Sequence, residues 1–361
     1  MPDSIYAEML AFLHLEQAVG GYEAAAQEHT RIERSYNAIA SLLGAETDEI
    51  AIVENSTVAW QLAMQSLPLK EGDEVLTGEM EYASNYLALL HLSSRLGIKV
   101  KTIPSDSNGQ VDLEVLPKII SSRTRAVCLT HVPSHRGDIQ PVIAVGEICG
   151  EYELFYIVDA CQSVGQLPIE VTQLQCDFLC GSGRKYLRGP RGTGFLYANQ
   201  HSTRELQPAM IDLHSAKWIN RQEYEIRHDA RRFENWETFV AGKLALGMAA
   251  EYAMDVGITH ITERIQQLAT SLHGQLREGG MQMLERSDDY SGIVTFIKPN
   301  EDSEKVQRRL RQKSMNISIA RPGNAVLEMA ESNIGAACRA SVHYFNTESE
   351  ISSFVEALLA G

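Results

Sequence analysis

The sequence predicts an α/β protein, a mostly parallel sheet between helices with a smaller α+β domain at its C-terminal side. Three observations carry this. Short apolar, β-branched runs alternate with helical stretches up to about residue 200, the pattern of βαβ units. A long helical region follows, roughly 236 to 278. After Asp288 the chain changes character, and three strand-like runs share the remainder with two helices. The expected division is an N-terminal helical segment over 1–43, a large α/β domain over 44–260 and a small α+β domain over 261–361.

The elements follow in order. From about Ser4 to Leu43 the chain reads as alanine-rich, charged helices interrupted at Gly20-Gly21. "EIAIVEN" is a strand over Glu49–Glu54, and Ser56 is expected to cap a helix that runs through Leu67. "DEVLTG" is a short strand, with a helix at about Ser84–Arg95 after it. "IKVKTIP" and "TRAVCLTHV" are strands, and "PVIAVGEICGEY" is a helical crossover to the strand "LFYIVDA", which ends at Asp159. "CDFLCGSG" and "GTGFLYAN" add two more strands. Gly242, Gly247 and Gly257 weakly interrupt the long helical region. Beyond it, "SGIVTFIKP", "NISIA" and "CRASVHY" read as strands, with helices at about Ser303–Gln312 and Ser349–Leu359.

Composition narrows the function. An apolar fraction of 44% and a charged fraction of 22% describe a globular chain, not a disordered one. The net charge of -15 repels nucleic acid unless a local basic patch overcomes it. Only short patches such as Arg227–Arg232 occur, so no nucleic-acid partner is expected. No run approaches the roughly 18 apolar residues of a membrane span, and "MPDSIYAEML" lacks the basic start and apolar core of a secretory signal. Cys128, Cys149, Cys161, Cys176, Cys180 and Cys338 fall mostly in strand or helix contexts and read as reduced core thiols. A cytoplasmic location is expected.

Ligands of open α/β sheets bind beyond the carboxyl ends of the strands. The polar groups at such ends are Asn55-Ser56-Thr57, Ser134 with His135, Asp159 with Gln162, and Lys185. Lys185 lies between two glycine-rich turns in "GSGRKYLRGPRGTGFLY", yet Tyr186 follows it, so this is no phosphate loop. A lysine held in this way can form a Schiff base with a carbonyl, that of pyridoxal phosphate included. That cofactor needs a carboxylate at its ring nitrogen, for which Asp159 is available. Its phosphate needs donors at a helix start, where Ser56 and Thr57 lie. It also needs a flat group on one ring face, and Tyr82 in "EMEYASN" can serve. Each residue has a plainer reading as cap, turn or surface group, and together they point to an α/β enzyme. His131 and His135 flank a proline in a strand-to-loop segment, so no metal site is expected. Trp218 and Tyr224, in a polar loop region, either line an entrance or fill structure.

Seven segments fall in order along the chain: "ENSTVAW", "EYASN", "HVPSHRGDIQPV", "IVDACQSVGQLPIEV", "DFLCGSGRKYLRGPRGTGFLY", "RRFENWET" and "CRASVHYFNTESE". In that order, from about Gly44 to the C-terminus, the chain resembles the class V aminotransferase family. The branch is the cysteine desulfurase-like and isopenicillin N epimerase-like one of fold-type I pyridoxal-phosphate enzymes. The resemblance implies a seven-stranded, mostly parallel sheet, with pyridoxal 5'-phosphate held by the large domain. It makes Lys185 the Schiff-base residue, and sets Asp159 at the pyridine nitrogen and Gln162 at the ring hydroxyl. Ser56 and Thr57 become the phosphate turn. Arg184 replaces a common histidine and adds positive charge near the phosphate. Tyr82 takes a stacking position where many relatives use histidine, and Ser134 stands where many have asparagine. Thr238 is implied to reach the phosphate of a neighbouring subunit, which makes the protein a homodimer with shared sites. Arg231 and Arg232 either reach that phosphate too or make surface ion pairs. Arg339 inherits the grip on the substrate carboxylate, a bidentate guanidinium pair. His343 and Tyr344 are expected to pack near Arg339.

The resemblance implies an enzyme that binds a small amino acid as an imine with its cofactor, with Lys185 taking the α proton. Sulfur-transferring relatives carry a nucleophilic cysteine in a mobile segment before the final arginine. Here "ARPGNAVLEMAESNIGAAC" reaches only Cys338, a strand residue beside Arg339. The expectation is therefore a C–S β-lyase for a cysteine-derived amino acid, without a persulfide cysteine. A class V aminotransferase and an amino-acid epimerase stay open as alternatives. A non-catalytic interaction protein is opposed by the intact set of Lys185, Asp159, Gln162 and Arg339. The family's opening strand is not found before Gly20, so either the start is shortened or the N-terminal helices serve the pocket differently.

Overall fold

The structure, a computed structural model, describes residues 1–330 and 333–360. Its central sheet has seven strands: β1 (Ile50–Val53), β2 (Glu74–Gly78), β3 (Lys99–Ile103), β4 (Thr124–Thr130), β5 (Phe155–Asp159), β6 (Phe178–Ser182) and β7 (Gly194–Ala198). Their order is β1-β7-β6-β5-β4-β2-β3. The pairs from β3 to β6 are parallel, and β7 runs antiparallel to both its neighbours. Successive side chains point to opposite faces of a strand, and both faces here are apolar. Ile52, Leu76, Val127, Val158, Leu179 and Phe195 join one cluster; Ala51, Val75, Cys128, Ile157, Cys180 and Leu196 join the other. Each large apolar side chain so buried contributes roughly 1.5–3 kcal/mol. A strand buried on both faces reads as a continuous apolar run, which is why the sequence marks these strands clearly.

Three N-terminal helices, α1 (Asp3–Val19), α2 (Gly21–Gln27) and α3 (His29–Leu43), break where Gly20 takes a φ of 100°. They pack on the helix Val240–Val256 through Phe12, Ala24, Ala241 and Leu244. Gly247 belongs inside that helix because of α3: a Cβ there would lie 2.6 Å from the Ser35 Cα. Beneath them Lys243 Nζ sits 3.0 Å from both Tyr36 Oη and Glu234 Oε2. The next helices, α4 (Ser56–Ser66) and α5 (Ala83–Leu96), start at the carboxyl ends of β1 and β2. α4 stops one residue before the expected Leu67, which is extended ahead of Pro68.

Two expectations change. The stretch from 236 to 239 is not helical, and the long helical region is two helices, Val240–Val256 and Ile258–Glu278, parted at Gly257 with φ 89°. The polar segment around Trp218 and Tyr224 is a hairpin rather than a loop, β8 (Ala216–Asn220) paired with β9 (Glu223–Ile226). Its charged and aromatic residues conceal the period of two, but Trp218 stands opposite Tyr224, a cross-strand aromatic pair. Both rings are exposed, and neither lines the cavity at the central sheet's polar end.

The C-terminal sheet is antiparallel, in the order β10-β11-β13-β12: β10 (Gln282–Met283), β11 (Ile293–Ile297), β12 (Ser318–Ala320) and β13 (Ala337–Ser341). Leu272, Val294, Phe296, Leu310, Val355 and Leu358 fill its core against three helices. The last of these, Glu348–Leu359, opens on a capping box between Thr347 and Glu350. No described helix is long and apolar enough to cross a membrane.

Candidate active site

A cavity of about 310 Å³ opens beyond the carboxyl ends of β4, β5 and β6. The start of α4 supplies Asn55, Ser56 and Thr57. Asn55, not Ser56, is the cap: its extended backbone lets Oδ1 accept from Val58 N at 3.0 Å. Ser56 is the first helical residue, and its hydroxyl donates to Cys180 Sγ at 3.2 Å. The backbone N–H groups of Ser56 and Thr57 come too early in the helix for intrahelical partners. β7 comes close beneath, because Gly194 has no side chain; a Cβ there would meet the Asn55 backbone at 2.7 Å.

The end of β5 contributes Asp159 and, one turn on, Gln162, both buried. Asp159 Oδ1 accepts from Cys161 N at 2.9 Å, and Oδ2 from Asn85 Nδ2 at 2.8 Å. Burial raises the Asp159 carboxyl above its usual range, opposed by those two bonds and by the charge of Lys185. Tyr82 lines the opening just before α5; its backbone N–H donates to Glu81 Oε1 at 2.8 Å. Ser134 lines it from the loop after β4.

Lys185 and Arg184 lie in the loop after β6, and both face the cavity. Gly183 N donates to Thr193 O (3.0 Å), Gly189 N to Gly183 O (2.8 Å) and Arg188 N to Lys185 O (2.9 Å), which close the loop on itself. The C-terminal residues clamp it from outside. His343 stacks on Tyr186 at 5.2 Å, and the Arg188 guanidinium lies 4.4 Å from the Phe345 ring centre and donates to Tyr344 Oη at 3.0 Å. His343 and Tyr344 thus hold the Lys185 loop, a role the sequence did not suggest. Burial lowers the Lys185 amine below the usual lysine value; Arg184 and Arg339 push it the same way, against Cys161 and Asp159.

Arg339, on β13, stands just behind the lining. Its Nη1 donates to Ser134 O and its Nη2 to Ser318 Oγ at 3.3 Å, while its buried Nε has no partner among the described residues. Thr238 does not reach this cavity in its own chain. It lines a separate groove of about 950 Å³ with Tyr22, Trp236 and Phe239, and Glu54 borders both. Neither neighbouring arginine is free: Arg231 pairs with Glu33 at 2.6 Å, and Arg232 is buried on the Thr203 and Arg204 carbonyls.

The sequence reading missed several lining residues, Cys161, Thr130 and Arg191 among them. Cys161, taken as a core thiol, is only half-buried and faces the cavity. Its place between Asp159 and Gln162 was the available signal. Burial, then the Asp159 charge, raises its thiol to about 11, so it stays protonated near neutrality. Thr130 and Arg191 complete the wall; Arg191 sits in the second glycine run, where only the glycines attracted notice.

The donor set fits pyridoxal phosphate. A buried carboxylate, a half-buried amine of lowered basicity, a helix start with free N–H groups and two guanidinium groups converge on one cavity. The helix start and the guanidinium groups of Arg184 and Arg191 are donors suited to an anion.

Comparisons with known proteins agree. A probable cysteine desulfurase of Methanothermobacter thermautotrophicus is 28% identical over 345 residues, 94% of this chain and 86% of that protein. The apo structure of a cysteine desulfurase from Thermococcus onnurineus NA1 superposes with a TM-score of 0.93, at 24% identity, over 100% of this chain and 91% of that one. A cystine C–S lyase, solved with its product cysteine persulfide, superposes with a TM-score of 0.90 at 21% identity, over 99% of this chain and 94% of that one. The two superpositions speak for the fold alone. The family model of class-V aminotransferases matches residues 1–354, and to that family of pyridoxal-phosphate enzymes the chain belongs.

Proposed function

We propose that this chain is a C–S β-lyase for a cysteine-derived amino acid, working without a persulfide on its own cysteine. One observation carries the reading: the segment between β12 and β13 contains no cysteine. Cys338 lies in β13, fully buried, with Sγ 3.7 Å from Ser303 O and its thiol raised by burial to about 11. The protonated Cys161 thiol is a poor nucleophile as well. The names of the relatives, cysteine desulfurases and a cystine C–S lyase, supply the substrate class.

When bound, the cofactor withdraws electrons from the substrate's α carbon. The residues would divide the remaining work. Lys185 Nζ holds the cofactor and then takes the α proton, for which its lowered basicity suits it. Asp159 holds the ring nitrogen's proton. The Ser56 and Thr57 N–H groups and Arg184 neutralise the phosphate. Tyr82 covers one ring face, and Gln162 and Ser134 serve the ring hydroxyl. Arg339, just behind the lining, would take the substrate carboxylate. Thr238 would serve a second copy's phosphate in a homodimer, which would cover the exposed Tyr22, Trp236 and Phe239.

The test is incubation of the loaded enzyme with cysteine, cystine and cysteine conjugates. Pyruvate should appear together with sulfide, persulfide or thiol. Oxo-acid formation with the sulfur retained would indicate amino transfer, and loss of optical activity alone would indicate epimerisation. Either result, or no product from any of these substrates, overturns the lyase reading.

A further inference from the structure

We propose that Glu81 is a positioning residue that sets both the edge and the face of the cofactor pocket. Through Asn85 it fixes the Asp159 carboxylate, and through a backbone N–H it fixes Tyr82. The proposal rests on the pyridoxal-phosphate reading of the cavity and adds a residue which does not line it.

The geometry is specific. Glu81 is buried at 5% exposure and Asn85 at 1%. The Asn85 amide has two hydrogens, and Nδ2 lies 2.9 Å from Glu81 Oε1 and 2.8 Å from Asp159 Oδ2. One NH₂ group therefore joins two buried carboxylates. Glu81 Oε1 also accepts from Tyr82 N at 2.8 Å and from Thr130 Oγ1. Its Oε2 accepts from Thr77 Oγ1 at 3.0 Å. The donors come from β2, β4, the turn before α5 and α5 itself, so Glu81 pins four pieces of chain where they meet the end of β5.

An acid at such a place is costly. Burying a carboxylate costs several kcal/mol unless hydrogen bonds offset it, and an apolar side chain would fill the space more cheaply. What an apolar residue cannot do is orient Asn85. Without Glu81 the amide has no second acceptor, and nothing would prevent it from rotating away from Asp159. With it, Oδ2 is held by Asn85 and Oδ1 by Cys161 N, so the Asp159 carboxylate cannot turn. The register of Tyr82 is fixed by the same oxygen atom. Glu81 precedes the extended N-cap Tyr82, outside α5, and the chain turns there so that its side chain meets Asn85 in the helix's first turn.

The experiment compares Glu81→Gln, Glu81→Ala and Asn85→Ala with the wild-type chain by titration of the apo protein with pyridoxal phosphate. It reads the dissociation constant and the absorption maximum of the bound cofactor, and thermal melts of the apo proteins check folding. Asn85→Ala and Glu81→Ala are expected to bind at least about tenfold more weakly, the scale of one lost charge-assisted hydrogen bond, with a displaced absorption maximum. Glu81→Gln keeps an acceptor for Asn85 and Tyr82 and can donate to Thr77, so it should stay within about threefold of wild type. Should Asn85→Ala not fold, Asn85→Ser replaces it, because a serine hydroxyl is too short to bridge both acids. Wild-type affinity and spectrum in the Asn85 variant would overturn the proposal. So would a Glu81→Gln protein as impaired as Glu81→Ala, since charge rather than position would then be what Glu81 supplies. Failure of the wild-type chain to bind pyridoxal phosphate would instead remove the cofactor reading itself.

Discussion

Arg136 and Glu328 form a buried ion pair, Nη1 to Oε1 at 2.6 Å, across 192 residues of sequence. Arg136 follows the cavity-lining Ser134 by two residues, and Glu328 lies between β12 and β13. Arg136 Nε also stands 2.8 Å from Asp138 Oδ2, and His135 Nε2 is 3.4 Å from Glu328 Oε2. The pair thus ties one wall of the cavity to the segment between β12 and β13. Burial alone would raise the Glu328 carboxyl, but the contacts with His135 and Arg136 outweigh it and hold it below its usual range.

Removing one partner takes the shortest ion-pair contact from the other, leaving buried Arg136 with Asp138 or buried Glu328 chiefly with His135. Arg136→Leu or Glu328→Leu is expected to cost about 3 to 5 kcal/mol, and the double variant less than the sum of the two. Urea unfolding of the apo protein measures all three. For the wild type, a lowered carboxyl stabilises above the unfolded pKa, and that contribution is lost as pH falls through the lower folded value.

Glu285 should behave in the opposite sense. It is buried, and Oε1 accepts from Gly137 N at 3.1 Å and Thr295 N at 2.8 Å. Burial raises its carboxyl to about 7, and burial lowers its neighbour His273 to about 4. Although His273 Nε2 is 3.8 Å from Glu285 Oε2, both groups are therefore neutral between those values, and this is no ion pair. A raised acid stabilises fully below its unfolded pKa, and the contribution is lost as pH rises through about 7. Glu285→Gln keeps the two backbone bonds. It should stabilise the protein by about 1–3 kcal/mol at pH 8 and have little effect near pH 4.5, as read by melts at the two pH values.

Much of this was legible from sequence, for a physical reason. Strands buried on both faces are unbroken apolar runs, and the polar residues that end them, Asp159 and Ser134, stand out against that background. Lys185 stood out because glycines surround it. Ser56 as cap was displaced by Asn55, one residue earlier, because an asparagine side chain reaches the N–H three residues on. Glu81, Asn85 and Glu328 were not legible. Each is a polar residue whose partners lie elsewhere in the chain or on a buried helix face, and no local pattern reports such pairing. The β8–β9 hairpin was missed because both its faces are polar or exposed, which erases the alternation that marks a half-buried strand.

Arg339 provides a prediction about substrate recognition. Its Nη groups already engage Ser134 O and Ser318 Oγ, so the planar fork is held in place before substrate arrives. A lysine keeps the charge and loses the fork. Arg339→Lys is expected to raise KM for the amino acid by about 10- to 100-fold, the scale of one or two hydrogen bonds between charged groups. The cofactor dissociation constant should change little. Steady-state kinetics paired with a cofactor titration separate the two effects, and an equal loss in both would place Arg339 on the cofactor instead.

Cys338 decides between a lyase and a persulfide-carrying desulfurase. Its side chain lies in the C-terminal core with Val306 and Leu310, whereas its strand neighbour Arg339 bonds the Ser134 carbonyl. A persulfide there would need a thiolate, but burial raises this thiol to about 11, and it would need a route for substrate into a closed core. Cys338→Ala removes one sulfur from a packed site and should lower stability by about 1 kcal/mol. It should leave sulfur release per enzyme within about threefold of wild type, because on the proposed lyase reading no step passes through that atom. Intact-mass spectra of the wild-type enzyme during turnover should show no 32 Da adduct, about the mass of one added sulfur. An adduct that disappears in Cys338→Ala, together with the activity, would make this strand cysteine the sulfur carrier.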